Sequence, residues 1–268
     1  MTTLHQPIGV FDSGLGGISV LREIHRLLPA EDLIYVADSA HAPYGAKSPE
    51  YICHRSRRVA DFLLEQNAKA LVVACNTATV HAVEHLRSVL PIPVIGVEPA
   101  VKPAARLTRT GVIGVLATQQ TVKSLRLQRL IHEHAQGVQV IAQACPGLVE
   151  HVEAGDFDSE DLRHLLKLYT LPLLNAGADT LVLGCTHYPF LSEAIHDVTH
   201  GTMMVLETST PVTHQLMRIL DQHTLRRDGA ERGWVQFYSS KQEPQHYQGI
   251  VRLWQQPVDP QPLPLLYR

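Results

Sequence analysis

The amino-acid sequence predicts an α/β protein built from two related lobes, each a mainly parallel sheet flanked by helices. Short β-branched runs alternate with longer helical patterns, which is typical of parallel α/β sheets. Several segments recur at an offset of about 105 to 110 residues, which indicates two related halves. A length of 268 residues suits one large domain or two modest ones.

The predicted strands follow one another at intervals long enough for a helix between most of them. After the first run, apolar residues at helical spacing between Ile18 and Leu28 predict a helix with one buried face. Near the end of the chain, Trp234–Tyr238 predicts one further strand. The seven earlier runs are Ile8–Phe11, Leu33–Val36, Leu71–Ala74, Val94–Gly96, Val112–Leu116, Val138–Ala142 and Leu181–Leu183.

Three matched pairs of segments define the two halves. Because the second half ends near residue 207, we expect a first lobe of residues 1–97 plus 208–268 and a second of residues 98–207. The final stretch of about sixty residues is too poor in predicted strands to form a domain alone, so we expect it to complete the first lobe. Its end, Pro257–Pro264, predicts an extended tail. The matched pairs are Ile8–Ser13 with Ile113–Thr118, Leu71–Thr77 with Leu181–His187, and Val94–Glu98 with Met203–Glu207.

Composition and charge narrow the classes of function. Lys and Arg total 23 against 26 Asp and Glu, a net charge of -3, which disfavours a nucleic-acid partner and favours a small-molecule substrate. No apolar run approaches the ~20 residues of a membrane span, and the first residues lack a secretion signal. Four cysteines without a CxxC pair suit a reducing compartment. We therefore expect a cytoplasmic protein that does not bind membranes.

The most informative repeat places a cysteine and polar residues after a strand in each half, at Cys75-Asn76-Thr77 and Cys185-Thr186-His187. Ligands collect at the carboxyl ends of parallel strands. A helix beginning after each cysteine would present free N–H groups, which favour a thiolate and bind a carboxylate. These two thiols are therefore candidate bases, whereas we interpret Cys53 and Cys145 as buried packing residues.

A glycine-rich segment, Asp12-Ser13-Gly14-Leu15-Gly16-Gly17, follows the first predicted strand. It matches a dinucleotide fingerprint incompletely, because Ser19 stands where the third glycine belongs. Asp38, after the second strand, could act as the ribose-binding acid and leaves a dinucleotide-dependent oxidoreductase open as an alternative. Asp12 could instead cap the following helix, a role compatible with binding an ammonium group.

The other motifs in the chain are weak. His81-Ala-Val-Glu84-His85 matches an HxxEH zinc pattern, but with 16 histidines in the chain such a match arises easily by chance. There is no GxxxxGKS phosphate loop and no GxSxG elbow. Neither Lys47 nor Lys123 alone indicates a Schiff base. We expect no metal and no cofactor.

Five segments together resemble the glutamate racemases over nearly the whole chain, from about Ile8 to about Trp254. The resemblance implies two α/β lobes related by pseudo-two-fold symmetry, with the active site between them. It also implies a cofactor-independent isomerase that interconverts L- and D-glutamate for bacterial peptidoglycan, commonly as a homodimer. The segments are Asp12-Ser13, Pro43-Tyr44-Gly45, Cys75-Asn76-Thr77-Ala78-Thr79, Glu153 and Gly184-Cys185-Thr186-His187-Tyr188-Pro189.

Residue roles follow from the same resemblance. Cys75 would deprotonate D-glutamate and Cys185 L-glutamate, from opposite faces of the α-carbon. Asp12 and His187 would assist the respective thiols, and Glu153 would orient or polarise His187. The residues that would bind the amino and carboxylate groups are Asp12, Ser13, Tyr44, Gly45, Asn76, Thr77, Thr186 and His187.

Two alternatives to a glutamate racemase remain at this point. An aspartate racemase or another cofactor-independent racemase would use the same two thiols on a different substrate. A non-catalytic amino-acid-binding protein would keep Asn76, Thr77 and Thr186 but would not need both Cys75 and Cys185. The presence of both thiols favours an enzyme.

Overall fold

A computed structural model describes residues 3–268 of the chain. Within these residues ten strands alternate with eleven helices. The strands are β1 Ile8–Asp12, β2 Leu33–Ala37, β3 Ala70–Val73, β4 Val94–Gly96, β5 Val112–Ala117, β6 Gln139–Ala144, β7 Thr180–Gly184, β8 Met204–Leu206, β9 Val235–Ser239 and β10 Gln261–Pro262. The helices are α1 Ile18–Leu27, α2 Pro49–Glu65, α3 Asn76–Val89, α4 Val101–Leu107, α5 Gln119–Lys123, α6 Leu125–His134, α7 Leu148–Glu153, α8 Glu160–Asn175, α9 Ser192–Val198, α10 Ser209–Gln222 and α11 Pro244–Trp254.

The strands form two parallel sheets. One sheet has the strand order β10-β9-β2-β1-β3-β4, and the other has the order β6-β5-β7-β8. Four strands of the first sheet, β2-β1-β3-β4, therefore follow the same order as the whole of the second. The sequence repeat agrees with this, because it pairs β1 with β5, β3 with β7 and β4 with β8.

The chain divides into two compact units. One comprises the described residues up to Val97 together with Ser209–Arg268, and the other is Glu98–Thr208. The unit that holds the six-stranded sheet is called the first unit below, and the other the second unit. In the first unit, β9 extends the sheet by pairing in parallel with β2, from Leu33 opposite Val235 to Ala37 opposite Ser239.

Helices cover the sheet strands and bury them. All five residues of β1 and of β2 are buried, as expected for strands covered on both faces. The helix α1 buries Ile18, Leu21 and Ile24, which confirms the buried face predicted from their spacing. In the second unit, Ile113, Val115 and Ala117 of β5 belong to a core cluster shared with α4 and α6.

The predicted α/β fold class is confirmed, and the seven earlier strand runs lie on β1 to β7. The pattern missed β8 as a strand, although the repeat pointed to this segment. Met204 at its start is exposed and the other two residues are half-buried, so the apolar signal is weak. No helix in the described part of the chain is long and apolar enough to cross a membrane.

Candidate active site

In the first unit, Cys75 lies between the end of β3 and the start of α3. The residue is 5% exposed and is the N-cap of the helix, where its Sγ accepts a hydrogen bond from the Ala78 N–H at 3.4 Å. A second contact joins Sγ to Ser13 Oγ at 3.5 Å. The thiol therefore lies at the positive end of a 14-residue helix, an environment that favours an anionic sulfur.

Asp12 is fully buried at the end of β1, next to this thiol. Its Oδ1 accepts hydrogen bonds from the Ser13 N–H at 2.6 Å and from Ser13 Oγ at 3.2 Å. Its Oδ2 accepts from the N–H of Gly17, the N-cap of α1. Asp12 therefore holds the turn before α1, and Ser13 connects its carboxylate to Cys75.

Gly17 is required where the turn approaches the sheet. A Cβ at this position would lie 2.7 Å from the Cβ of Asp12 and 2.9 Å from the hydroxyl oxygen of Tyr35. That hydroxyl donates to the Gly14 carbonyl at 2.7 Å. The glycines of this segment therefore serve a tight turn around Asp12.

Tyr44 and Gly45 lie on a short 3₁₀ turn, Tyr44–Ala46, which contacts α3. Tyr44 is 1% exposed, and its hydroxyl donates to Asp38 Oδ2 at 2.6 Å. Burial, the Asp38 carboxylate and the charge of Cys75 all raise the pKa of Tyr44 well above its ordinary value. The phenol therefore remains a neutral donor.

Asn76 begins α3 beside the thiol. Its side chain is buried, yet among the described residues neither its Oδ1 nor its Nδ2 has a hydrogen-bond partner. A buried amide without partners costs free energy unless a ligand satisfies it. Its N–H groups can donate to a carboxylate, and its oxygen can accept from an ammonium group.

In the second unit, Cys185 follows β7 and begins a chain of polar contacts. Its Sγ lies 3.7 Å from His187 Nδ1, and His187 Nε2 lies 2.7 Å from Glu153 Oε1 at the end of α7. Burial alone would lower the pKa of His187, but hydrogen bonds to Cys185 and Glu153 and their charges raise it well above its usual value. This direction of the pKa shift favours the protonated form of the His187 ring beside the sulfur.

The two thiols thus differ in what surrounds them. The sequence predicted a polar loop and then a helix after each cysteine. At Cys75 the helix α3 begins at the next residue, whereas a further turn precedes the helix that follows Cys185. The segment after it forms a 3₁₀ turn, Tyr188–Leu191, which contains Pro189, before the seven-residue helix α9. The electrostatic role of the helix N-terminus at Cys75 is taken at Cys185 by His187.

The other two cysteines are free thiols. Cys145 is 2% exposed, its Sγ donates to the Gln143 carbonyl at 3.3 Å, and burial raises its pKa. Cys53 is half-buried, its Sγ donates to the His81 carbonyl at 3.0 Å, and burial also raises its pKa. Both are neutral thiols with backbone partners, as expected for packing residues.

Asp38 does not fit the role of a ribose-binding acid. It is fully buried, and its carboxylate accepts from Tyr44 and from Arg55, which donates at 3.0 Å and 2.7 Å. Arg55 was not predicted from the sequence, because no pattern near it in the chain points to a contact with Asp38. Among residues 3–268, no group of three or more His, Cys, Asp or Glu side chains could hold a metal ion.

The fold and the paired thiols define a class of protein that comparison identifies. A family model described as Asp/Glu/hydantoin racemase matches residues 8–215. A glutamate racemase of Pseudomonas entomophila is 52% identical over 260 residues, which are 97% of this chain and 98% of the relative.

Solved structures give the same result. Glutamate racemase isoform RacE1 from Bacillus anthracis is 33% identical with a TM-score of 0.88, and each chain is covered to 98%. The glutamate racemase from Francisella tularensis in complex with D-glutamate is 28% identical with a TM-score of 0.86, again over 98% of both chains. The chain therefore belongs to the glutamate racemases, which are isomerases, and the resemblance found in the sequence is confirmed.

Proposed function

We propose that the chain interconverts L- and D-glutamate by moving a proton at the α-carbon between Cys75 and Cys185. The observation that carries this proposal is the matched position of the two thiols. Each lies just beyond the carboxyl end of a parallel strand, Cys75 after β3 and Cys185 after β7. The N-terminus of α3 lies at Cys75, and His187 lies beside Cys185. The naming of the relatives as glutamate racemases supports glutamate as the substrate.

The proton balance of the proposed reaction closes without a cofactor. With D-glutamate, the Cys75 thiolate removes the α-proton and becomes a thiol, and the electron pair of the C–H bond passes into the α-carboxylate. The Cys185 thiol then donates its proton to the opposite face and becomes a thiolate, which gives L-glutamate. The reverse reaction exchanges the roles of the two sulfurs.

The difficult step is the formation of the carbanion, because an α-proton beside a carboxylate is a far weaker acid than a thiol. Donors that are already oriented lower this barrier when they meet the charge that develops on the carboxylate. The Asn76 amide, without a partner among the described residues, and the N–H groups at the start of α3 supply such donors. The other groups proposed to bind the amino and carboxylate groups of glutamate are Ser13, Thr77, Thr186 and the Tyr44–Gly45 turn.

The assisting residues differ between the two thiols in this proposal. Asp12 acts at Cys75 through Ser13, whose Oγ contacts both side chains. His187 acts directly at Cys185, because its Nδ1 lies 3.7 Å from the sulfur. Glu153 orients His187 by accepting from Nε2.

A parallel assay tests the choice of substrate. L-glutamate and L-aspartate would be supplied separately without any added cofactor, and racemisation would be followed by polarimetry and by separation of the enantiomers. We expect turnover of glutamate well above that of aspartate. A preference for aspartate would contradict the substrate assignment, and binding of glutamate without racemisation would favour the non-catalytic binding protein.

Location, pathway and assembly form the remaining part of the proposal. Two thiols that must both stay reduced suit a cytoplasmic enzyme. The family resemblance supports a supply of D-glutamate for peptidoglycan and a homodimer. The role in peptidoglycan would be tested by expressing the chain in a strain that lacks its own racemase and comparing growth with and without D-glutamate in the medium. Sedimentation equilibrium would test the homodimer.

A further inference from the structure

We propose that Arg55 and Asp38, together with the main-chain carbonyl of Tyr267, are positioning groups that hold the Tyr44–Gly45 turn in its substrate-binding conformation. These three groups are called the Arg55 brace below. This inference rests on the proposed function, because it assigns to the brace an effect on the binding of glutamate.

The centre of the brace is a buried ion pair with two hydrogen bonds. Arg55, on α2, donates from Nε to Asp38 Oδ2 at 3.0 Å and from Nη2 to Asp38 Oδ1 at 2.7 Å. The Arg55 side chain is 4% exposed and that of Asp38 is fully buried. A two-pronged contact of this kind fixes direction as well as distance, because the guanidinium and the carboxylate must be coplanar.

The brace reaches the candidate active site through Tyr44. The Tyr44 hydroxyl donates to the same Asp38 Oδ2 atom that accepts from Arg55 Nε, at 2.6 Å. The turn that contains Tyr44 contacts α3, and Cys75 is the N-cap of that helix. Any movement of the Asp38 carboxylate therefore moves a side chain that packs beside the thiol.

The end of the chain completes the brace. Arg55 Nη2 also donates to the Tyr267 carbonyl at 2.9 Å, although the two residues are 212 positions apart. The 3₁₀ turn Leu265–Tyr267 contacts α2, and the ring of Tyr267 lies 5.5 Å from that of Phe62. The tail carbonyl thus shares Arg55 Nη2 with Asp38 Oδ1.

The segment held by the brace has little regular structure of its own. Between the end of β2 and the start of α2 the chain forms only two short 3₁₀ turns, Ser39–His41 and Tyr44–Ala46. Two main-chain N–H groups anchor it further. The Asp38 N–H donates to the Asp12 carbonyl at 3.0 Å, and the Ala40 N–H donates to Ser240 Oγ at 3.0 Å. Such a segment depends on side-chain partners for its conformation, because no sheet or helix ladder fixes it.

Arg55 and Asp38 are positioning residues and not catalytic ones. Both side chains are buried, and their hydrogen bonds go to each other, to Tyr44 and to the tail, so we assign neither of them a contact with substrate. Loss of the brace should therefore weaken the binding of substrate more than it slows proton transfer.

The main test compares Arg55→Met with Lys69→Met. Lys69 pairs with Glu31 at 2.5 Å, and both side chains are fully buried, so this is an ion pair of similar burial in the same unit. Lys69 and Glu31 precede β3 and β2, which places this control pair at the opposite end of the strands from Asp38. Removal of either cation leaves a buried carboxylate without its ionic partner.

We expect Arg55→Met to raise the KM for both enantiomers by at least about tenfold, with a change in kcat of less than about threefold. The dissociation constant of D-glutamate, measured by calorimetry, should rise in parallel. Arg55→Met and Lys69→Met should lower the temperature of unfolding by similar amounts. Lys69→Met should nevertheless leave KM unchanged. Arg55→Lys, which keeps the charge but not the two-pronged contact, should give an intermediate KM.

Two variants of the tail test the carbonyl separately, in case Arg55→Met does not fold. Deletion of Tyr267 and Arg268 removes the acceptor and should raise KM in the same direction. Tyr267→Phe removes only the hydroxyl, which donates to Glu65, and should leave KM unchanged.

The proposed role of the Arg55 brace would be overturned if KM were unchanged in both Arg55→Met and the tail deletion. It would also be overturned if Lys69→Met raised KM as much as Arg55→Met does. A wild-type chain that does not racemise glutamate would contradict the proposed function instead. In that case the dissociation constants of D-glutamate for the same variants still decide the role of the brace.

Discussion

His187 Nε2 lies 2.7 Å from Oε1 of Glu153, while Nδ1 of the same ring faces the sulfur of Cys185 at 3.7 Å. One imidazole therefore connects a carboxylate on α7 with a thiol that follows β7. In the first unit Thr77 stands at the corresponding position of the repeat, and the N-terminus of α3 and Ser13 Oγ lie against Cys75. The two proposed bases are matched in position but stabilised by different means.

Replacement of either thiol tests whether both are bases. We expect Cys75→Ser and Cys185→Ser each to lower kcat at least ~10²-fold, because general acid and base catalysis contributes about that much and a serine hydroxyl ionises far less readily. The matched control is Cys53→Ser, since serine can donate to the His81 carbonyl in the same way. Circular dichroism would verify the fold. Normal turnover by a Cys75 or Cys185 variant would remove that thiol from the mechanism.

Isotope incorporation distinguishes two bases from one. In deuterated water the thiol that protonates the product carries deuterium before the substrate binds. D-glutamate formed from L-glutamate in the first few per cent of reaction should therefore be almost fully deuterated at the α-carbon, and the remaining L-glutamate nearly unlabelled. Mass spectrometry of the separated enantiomers measures both. Much unlabelled D-glutamate at that stage would indicate a single base.

The raised pKa of His187 predicts how its contribution to stability changes with pH. A group whose pKa is higher in the folded than in the unfolded chain stabilises the fold fully when the pH is below the pKa of the unfolded chain. This stabilisation is lost as the pH rises through the pKa of the folded chain. Hydrogen bonds to charged groups contribute ~2 kcal/mol. The free energy of unfolding of the wild type should therefore exceed that of His187→Gln by the largest amount near pH 6. The difference should become smaller at higher pH. Urea unfolding at several pH values checks this, and a difference that grows with pH would contradict it.

Gly184 positions Cys185 through close packing. A Cβ at Gly184 would lie 2.9 Å from the Leu116 carbonyl oxygen, which is backbone and cannot move aside easily. We expect Gly184→Ala to lower the free energy of unfolding by about 1–3 kcal/mol and to reduce kcat. Gly229→Ala is the control, because nothing lies within 4 Å of its added Cβ. Equal stability of the two variants would show that the backbone at β7 adjusts without cost.

Independence from cofactors and metals remains a prediction. We expect racemisation to be unchanged after dialysis against EDTA and after addition of pyridoxal phosphate, nicotinamide dinucleotide or zinc. The rate would be measured by circular dichroism of glutamate before and after treatment, with a metalloenzyme treated in parallel to show that chelation was complete. Loss of activity that zinc restores would contradict the prediction.

The two thiols could be proposed as bases from the sequence because their signal is local. Cys75 and Cys185 each follow a β-branched run, and parallel strands carry their ligands at that end. Asp12 was found for the same reason, as the residue that ends β1. After Cys185 a 3₁₀ turn, Tyr188–Leu191, precedes α9, a detail that the sequence pattern did not predict.

The sequence by itself determined the α/β class, the internal repeat and the residues that end the strands. These features follow from the periodic pattern of apolar residues, which reflects local burial and involves only residues close together in the chain. Only the tertiary structure decided which side chains meet. Nothing near Arg55 shows that it binds Asp38 on one side and the Tyr267 carbonyl on the other. The contact of Glu153 with His187, 34 residues further on, was expected from the family resemblance alone, because no local pattern indicates it. Such contacts depend on how distant segments pack, and a sequence pattern with a period of two or 3.6 residues carries no information about that packing.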